Sequence, residues 1–157
     1  MTDDHKNLAE ATNTDFNTLS GLDFLRKLIA NGDGSPMAQV MGITIRTVEE
    51  GRVTLSATPT TKLYNPMMRV HGGFAATVLD TVLGCSVMSK LAAGVGVGTI
   101  VLNVNYVRKI EAKTGEMIAS GQVLHAGRSV MTAEAKLTDQ SGRLFAHASG
   151  TFMVYPK

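Results

Sequence analysis

The 157-residue sequence contains no tryptophan and a single cysteine, Cys85. One cysteine excludes a disulfide within the chain and any zinc site built from several cysteines, and it suits a reducing compartment. The four histidines, at positions 5, 71, 125 and 147, lack the spacing of metal ligands. We therefore predict a cytoplasmic protein that uses no metal and no cofactor of its own.

An excess of charge of one sign is also missing, since 15 Lys and Arg face 13 Asp and Glu. Without a dense basic run, nucleic-acid binding has no electrostatic support. The apolar runs stay well short of the roughly 18 residues of a membrane span, and the first residues lack the basic start and apolar stretch of a signal peptide. We expect neither a nucleic acid nor a membrane as partner.

The order of elements predicts an α+β fold. Residues 1–19, rich in Asn, Thr and Asp, predict a flexible N-terminal arm, and residues 20–157 predict a single domain. Ser20 and Gly32 can cap a short helix, a turn follows at GDGSP, and a hairpin covers about residues 40–58. After a loop, the sequence predicts a long apolar helix from Gly72 to Ser89, which ends by Gly94 at the latest.

Four further strand-like segments follow that helix. Met131, Ala133, Ala135 and Leu137 alternate with polar residues, as do Ile100, Leu102, Val104 and Tyr106. We predict one antiparallel sheet of about six strands that curls around the long helix. One face of such a sheet would be left to solvent or to another subunit.

Asp80 is the only charged residue of the long helix. Its neighbours three and four positions away include Ala76, Thr77 and Gly84, which are small and leave room for an approaching group. Buried aspartates are rare unless they are paired, and a carboxylate with little water around it is a stronger base. The alternative is a core aspartate that is satisfied by a hydroxyl or a backbone amide.

Three further features surround the helix in sequence. The His71-Gly72-Gly73 segment at the helix start could offer backbone amides to a developing oxyanion, or it could be a plain glycine-rich turn. Asn65 could bind a carbonyl or a water, or simply form a turn before Pro66. Thr99 opens the next strand and is compatible with a purely structural position.

Together these residues resemble the hotdog-fold acyl-CoA thioesterases. The likeness is to the PaaI-like (phenylacetic acid degradation protein-like) group of the 4-hydroxybenzoyl-CoA thioesterase superfamily. It rests on Asn65, on His71-Gly72-Gly73, on Asp80 nine residues after the histidine, and on segments such as TIVLNVNYVR and HAGRSVMTAEAKLTDQSGRLFAHASGTF. It covers about residues 36–155. Lys109 stands where the family usually has proline after its Tyr-x-Arg motif.

The resemblance implies hydrolysis of an aryl or a short- or medium-chain acyl-CoA. Asp80 would be general base or nucleophile, Gly72 would donate its N–H to the thioester oxygen, Asn65 would bind the carbonyl or the water, and Thr99 would position the water. It also implies a homodimer with active sites at the interface, and often a homotetramer. Further substrate-binding candidates are His71, Gly73, Arg108, Arg128 and Ser129. Arg108, Lys109 and Arg128 could meet the phosphates of coenzyme A, or they could be solvated surface cations.

Two other activities fit the same fold less well. A non-catalytic acyl-CoA sensor would need no carboxylate and is usually fused to a DNA-binding module, for which no basic segment is present. A dehydratase would pair a catalytic histidine with an acid at a different spacing from that of His71 and Asp80. The sequence leaves open the acyl group and whether the thioester is carried by CoA or by a protein.

Overall fold

The computed structural model describes residues 15–32 and 34–155. In these residues six antiparallel strands form one curved sheet around a long helix, so the predicted α+β hotdog architecture is confirmed. In chain order the elements are α1 (Gly21–Asn31), α2 (Pro36–Met41), β1 (Ile43–Glu49), β2 (Arg52–Ala57), α3 (Gly72–Met88), β3 (Gly96–Tyr106), β4 (Met117–Ala126), β5 (Val130–Asp139) and β6 (Leu144–Tyr155).

The strands follow the order β1-β2-β4-β5-β6-β3 across the sheet, so β1 and β3 are its edges. As predicted, β1 and β2 form a hairpin, and Ile43 lies opposite Ala57. β3 pairs only with β6 among the described strands, and its other edge is unpaired. A long edge strand with free backbone groups is a surface on which a further strand can pair.

Helix α3 lies against the concave face of the sheet. Eight of its side chains are buried, and most of them are large and apolar: Phe74, Ala75, Val78, Leu79, Val82, Leu83, Ser86 and Val87. Burying one such side chain stabilises the fold by about 1.5–3 kcal/mol. The opposite stripe of the helix remains half-buried, and this stripe carries Asp80.

The long helix ends at Met88 and Ser89 is its C-cap, in agreement with the predicted helix from Gly72 to Ser89. The Ser89 hydroxyl accepts from the Gly51 amide at 2.7 Å and donates to the Ser86 carbonyl at 2.7 Å. Gly21 also packs so tightly on the Met88 carbonyl that a Cβ there would lie 1.9 Å from its oxygen. These contacts fix the C-terminal end of α3, before the glycine-rich segment that follows it.

A short helix, α2, was not predicted, and the first strand was placed too early. Ser35 accepts from the Ala38 amide at 3.2 Å, Pro36 occupies the first helical turn, and Gly42 closes the helix at φ 62°. Proline at the start and glycine just past the end are typical helix signals. The helix was not predicted because only six residues lie between Ser35 and Gly42 and the segment that follows has a strand-like composition.

The alternation predicted for β3 holds only in part. Leu102 and Val104 pack on the core, but Ile100 and Tyr106 are more than half exposed. The pairing with β6 shifts register between Thr99 and Val101. A β-bulge adds one residue to a strand and so reverses the faces of the side chains that precede it.

The predicted arm, residues 1–19, lies mostly outside the described residues, and the division into an arm and one domain stays a prediction. Of that segment, residues 15–18 are helical. The Phe16 ring meets Phe24 edge-on at 6.2 Å, and the Phe16 carbonyl accepts from the Gly94 amide at 2.9 Å. The described end of the segment therefore contacts the rest of the chain.

Candidate active site

Asp80 is half-buried in the middle of α3. The Thr99 hydroxyl donates to its Oδ1 at 3.0 Å, which brings together two of the residues predicted for the site. Thr99 lies at the bulge of β3, a device that often redirects a side chain beside an active site. One carboxylate oxygen is thus held in place, and lone pairs remain available for a further donor.

The ion pairs of residues 15–32 and 34–155 do not include Asp80. Its negative charge is therefore not neutralised by a lysine or arginine within those ranges. Cys85, five residues further along α3, is affected by that charge: burial first, and the charge of Asp80 second, raise the pKa of its thiol to about 12. The thiol stays protonated near neutral pH and is a poor nucleophile.

Asn65 closes a tight loop. Its Oδ1 accepts from the Met67 amide at 3.0 Å and from the Arg69 amide at 3.2 Å, and Met68 adopts φ 55° within the loop. Because Oδ1 faces two donors, the orientation of the amide is fixed and Nδ2 points its two hydrogens elsewhere. Within residues 34–155 Nδ2 has no hydrogen-bond partner, so it can donate to a ligand.

The backbone amides at the start of α3 differ in whether they already donate a hydrogen bond. His71 is the N-cap, and its Nδ1 accepts from the Gly73 N–H at 2.9 Å. The Gly72 N–H belongs to the first turn, whose amides have no acceptor within a helix. A Cβ at Gly72 would lie 3.3 Å from the Tyr106 ring, so any larger residue there would require the ring to shift.

The predicted residues fall into two groups. Asn65, His71, Gly72 and Arg108 line a cleft of about 380 Å³ beside Tyr106, where β3 ends. Asp80 and Thr99 lie together near the beginning of β3. Arg128 and Ser129 are at that same end, because the Ser129 carbonyl accepts from Val154, whose pairing partner is Val97.

The separation of the two groups is set by the helix. Gly72 and Asp80 are eight residues apart, which corresponds to about 12 Å along an α-helix. A carbonyl carbon in contact with Asp80 therefore cannot have its oxygen at the Gly72 amide of the same chain. Each chain holds two incomplete halves of the predicted site.

Room for a substrate exists next to Asp80. Gly84 lies one turn beyond it on the open stripe of α3, and a Cβ there would meet nothing within 4 Å. A separate cleft of about 420 Å³ between α1, α2 and β1 reaches Thr81, the neighbour of Asp80, although not Asp80 itself. A larger cleft of about 520 Å³ lies on the opposite face of the sheet, far from the predicted residues.

Sequence reasoning missed several residues that border the cleft at the Gly72 end. Arg69 lines it, and Glu111 and Lys113 lie in an adjoining cleft that shares Arg108 and Lys109. Arg69 is distant in the chain from Glu111 and Lys113, so no local spacing could have linked it to them. Tyr106 belongs to the TIVLNVNYVR segment, but the packing of its ring on Gly72 depends on the tertiary fold.

The described residues contain no group of three or more His, Cys, Asp or Glu that could hold a metal ion. No helix in the described ranges is long and apolar enough to cross a membrane.

Comparisons with known proteins place these features in a family. The family model described as "Thioesterase superfamily" matches residues 68–146. A Halobacterium salinarum protein named "Putative esterase" is 32% identical over 134 residues, covering 78% of this chain and 87% of that protein. A 1,4-dihydroxy-2-naphthoyl-CoA hydrolase of Listeria monocytogenes is 24% identical, covering 77% and 97%.

The solved structures include the PaaI protein of the E. coli phenylacetic acid degradation operon. It superposes with a TM-score of 0.75 at 21% identity, covering 88% of this chain and 97% of that one. At this identity the likeness concerns the fold, and it confirms the architecture that the resemblance implied.

Proposed function

The chain belongs to the thioesterase superfamily, and we propose that it hydrolyses acyl-CoA thioesters to a carboxylate and free CoA. The family supports thioester hydrolysis in general. The observation that carries the proposal is the state of Asp80: a half-buried carboxylate that accepts from one hydroxyl and forms no ion pair with a cation among the described residues. Such a group has the capacity to accept a proton from water.

We propose that the complete site forms between two copies of the chain. If the free edges of β3 pair antiparallel about a twofold axis near Leu102 and Asn103, Thr99 of one copy lies opposite Tyr106 of the other. Thr99 holds Asp80 and Tyr106 packs on Gly72. The pairing would therefore bring each Asp80 to the Gly72 amide and the Asn65 side chain of the second copy.

The exposed surface of β3 supports this arrangement. Ile100, Val101 and Tyr106 of this strand are 52%, 45% and 58% exposed. A long apolar edge strand left in water is an aggregation hazard, and natural proteins usually cover it. Pairing with a second copy covers the edge, and twofold symmetry makes the contact self-complementary. A homodimer is the smallest assembly that does this, and a homotetramer would contain two of them.

The proposed reaction uses water as the nucleophile. Asp80 accepts a proton from water while the water oxygen attacks the thioester carbonyl carbon. The carbonyl oxygen becomes an oxyanion that accepts from the Gly72 N–H and Asn65 Nδ2 of the second copy. The intermediate collapses, the C–S bond breaks, and the CoA thiolate takes up a proton. Attack by Asp80 itself would instead give an acyl-enzyme anhydride that water then hydrolyses.

In this arrangement the acyl group lies along the open stripe of α3. Ala76 and Gly84 flank Asp80 on that stripe and are small. An aryl ring or a short or medium acyl chain could occupy the space that a larger side chain at these positions would fill.

The test is a hydrolysis screen with purified protein over aryl, short, medium and long acyl-CoAs, with release of free thiol as the readout. We expect turnover of at least one class. Tight CoA binding without thiol release from any acyl-CoA would contradict the proposal and favour an acyl-CoA sensor. Hydration of an enoyl-CoA without thiol release would favour a hydratase.

A further inference from the structure

Two neighbouring methionines beside Asn65 have exposed side chains. Met67 is 76% exposed and Met68 is 65% exposed, and among the described residues neither belongs to the apolar core. Both lie in the loop 65–69, which we call the Asn65 loop. A single exposed apolar residue is ordinary, but two adjacent ones next to a candidate substrate donor point to a contact that one chain alone does not contain.

Met68 also has an unusual backbone conformation. Its φ of 55° lies in the left-handed region, and it is the only non-glycine residue with positive φ in the part of the chain that the structure describes. Glycine adopts this region without steric cost, and Asn or Asp enters it more readily than a long apolar residue does. Residues held in such sparsely populated conformations concentrate at functional sites. The loop therefore keeps an apolar side chain where glycine would be accommodated more easily.

Hydrogen bonds fix the position of the Asn65 loop. Asn65 Oδ1 accepts from the amides of Met67 and Arg69, and the Asn65 carbonyl accepts from the Met68 amide at 3.0 Å. The Arg69 guanidinium donates to the Met68 carbonyl at 3.3 Å. Met67 lines the same cleft as Asn65 and Gly72. A thioester oxygen held by the Asn65 amide and the Gly72 N–H would therefore lie close to Met67.

We propose that Met67 and Met68 cover the acyl group of a substrate bound at Asp80 of the second copy, and that they set the acyl-length preference. The inference rests on the proposed function and on the proposed pairing of β3. That pairing carries the Asn65 loop toward the open stripe of α3 in the second copy, where a Cβ at Gly84 would meet nothing within 4 Å. The stripe lacks an apolar wall on that side, and the two thioether side chains supply one.

The chemistry of methionine suits a hydrocarbon chain. Its side chain is unbranched, flexible and polarizable, so it can pack against acyl groups of different shape. The pantetheine arm on the other side of the thioester carries amides and a hydroxyl, which gain less from an apolar cover. The acyl group is therefore the part of the substrate that these two residues would contact.

The experiment measures kcat/KM on straight-chain acyl-CoAs from acetyl to octanoyl. For the wild-type chain we expect kcat/KM to rise by up to about fourfold for each methylene that the methionines cover. The variant Met67→Ala/Met68→Asn removes both apolar side chains and places at position 68 a residue that tolerates positive φ. Its ratio of octanoyl to acetyl kcat/KM should fall by about tenfold. A purely structural defect would lower both values equally and leave the ratio unchanged.

Two further variants sharpen the measurement. Met67→Leu keeps a large apolar side chain and should retain most of the wild-type ratio. Met37→Ala removes a methionine of α2 that is 56% exposed, and as the matched control it should leave the ratio unchanged. A ratio that fell as far in the control as in the double variant would overturn the inference.

Calorimetric binding of S-alkyl-CoA thioethers, which cannot be hydrolysed, separates this inference from the proposed function. We expect the octyl thioether to bind the wild-type chain more tightly than the ethyl thioether, and this difference to shrink in the double variant. That result would support the cover even if no acyl-CoA were hydrolysed. The same length dependence in wild type and double variant would overturn it, as would equal losses on acetyl-CoA and octanoyl-CoA.

Discussion

Two aspartates, Asp139 and Asp80, differ in their surroundings: Asp139 is buried, and Asp80 is half-buried. Asp139 accepts from the amide and hydroxyl of Ser141 and from the amide and guanidinium of Arg143, all within four residues of chain. Asp80 accepts from one hydroxyl, that of Thr99, on a distant strand. Both oxygens of the Asp139 carboxylate accept hydrogen bonds from its own turn, whereas the Asp80 carboxylate can accept further hydrogen bonds.

The difference separates a structural carboxylate from an available one. A buried anion costs free energy unless donors or cations surround it. Asp139 meets that requirement locally and tightens the β5–β6 turn. Asp80 meets it only in part within one chain, and its remaining donors would come from a second copy and from substrate or water. The two residues should therefore respond in opposite ways to substitution.

The largest expected effect is that of Asp80→Asn on turnover. The amide keeps the shape and can still contact Thr99, but it cannot take a proton from water. We expect kcat to fall about 10²–10⁴-fold, the usual contribution of general-base catalysis. The thermal midpoint should change little. Thiol release from an acyl-CoA measures the first quantity, and circular dichroism on heating measures the second.

Asp23→Asn, an exposed aspartate on α1, serves as the control and should retain full activity. A turnover for Asp80→Asn within threefold of wild type would remove Asp80 from the mechanism. A large fall in its melting temperature would instead class Asp80 with Asp139.

The next prediction concerns the origin of the missing donors. Asn65→Asp keeps the oxygen that accepts from the loop amides but loses the Nδ2 donor, so it should be poorly active alone. Mixed with Asp80→Asn chains and reassembled, it should regain activity, because half of the dimers then contain one intact site of two. Activity should reach about a quarter of the wild-type value per total protein.

A mixture of Asp80→Asn with Asp80→Ala chains is the matched control, since no pairing of these chains makes an intact site. Recovery no greater than in that control would mean that both donors act within one chain. Mass photometry on the mixtures verifies that reassembly has occurred.

A smaller effect is expected when the Thr99 hydroxyl, which donates to Asp80, is removed. Thr99→Val preserves the β-branched shape and removes the hydrogen bond to Oδ1. We expect kcat to fall about tenfold with KM nearly unchanged, because a hydrogen bond to a charged group contributes about 1.5–3 kcal/mol. Thr99→Ser should restore most of the activity. Thr54→Val, on a strand away from the site, should have no effect, whereas a change confined to KM would contradict a positioning role for Thr99.

The sequence predicted the fold where patterns are local. The period-two alternation from Met131 to Leu137 and the apolar helix beginning at Gly72 are both present. It did not predict the bulge at Thr99, because a bulge depends on how β3 pairs with β6. It placed the end of α3 to within one residue, but not the contacts of Ser89 and Gly21 with distant segments that fix this end.

The candidate site shows the same division. The sequence placed Asp80 on the helix and His71 and Gly72 at its start, since the positions follow from spacing alone. That these groups lie about 12 Å apart follows from helix geometry, but their division between two ends of β3 needed the sheet order. The approach of Arg69 to Glu111 had no sequence signal, because the two residues are distant in the chain.

The smallest expected effect on turnover is that of Asp139→Asn, which should leave activity unchanged and lower stability. The Ser141 hydroxyl first, and then the amide and guanidinium of Arg143, lower the pKa of Asp139 to about 2 from an ordinary 3.8, although burial acts in the opposite direction. A carboxylate whose pKa is depressed by folding stabilises the folded state above its unfolded pKa, and this contribution disappears as pH falls through the folded pKa. The urea midpoints of wild type and variant should therefore differ at about pH 6 and converge toward about pH 2. A gap that stayed constant with pH would mean that the turn depends on the shape of Asp139 and not on its charge.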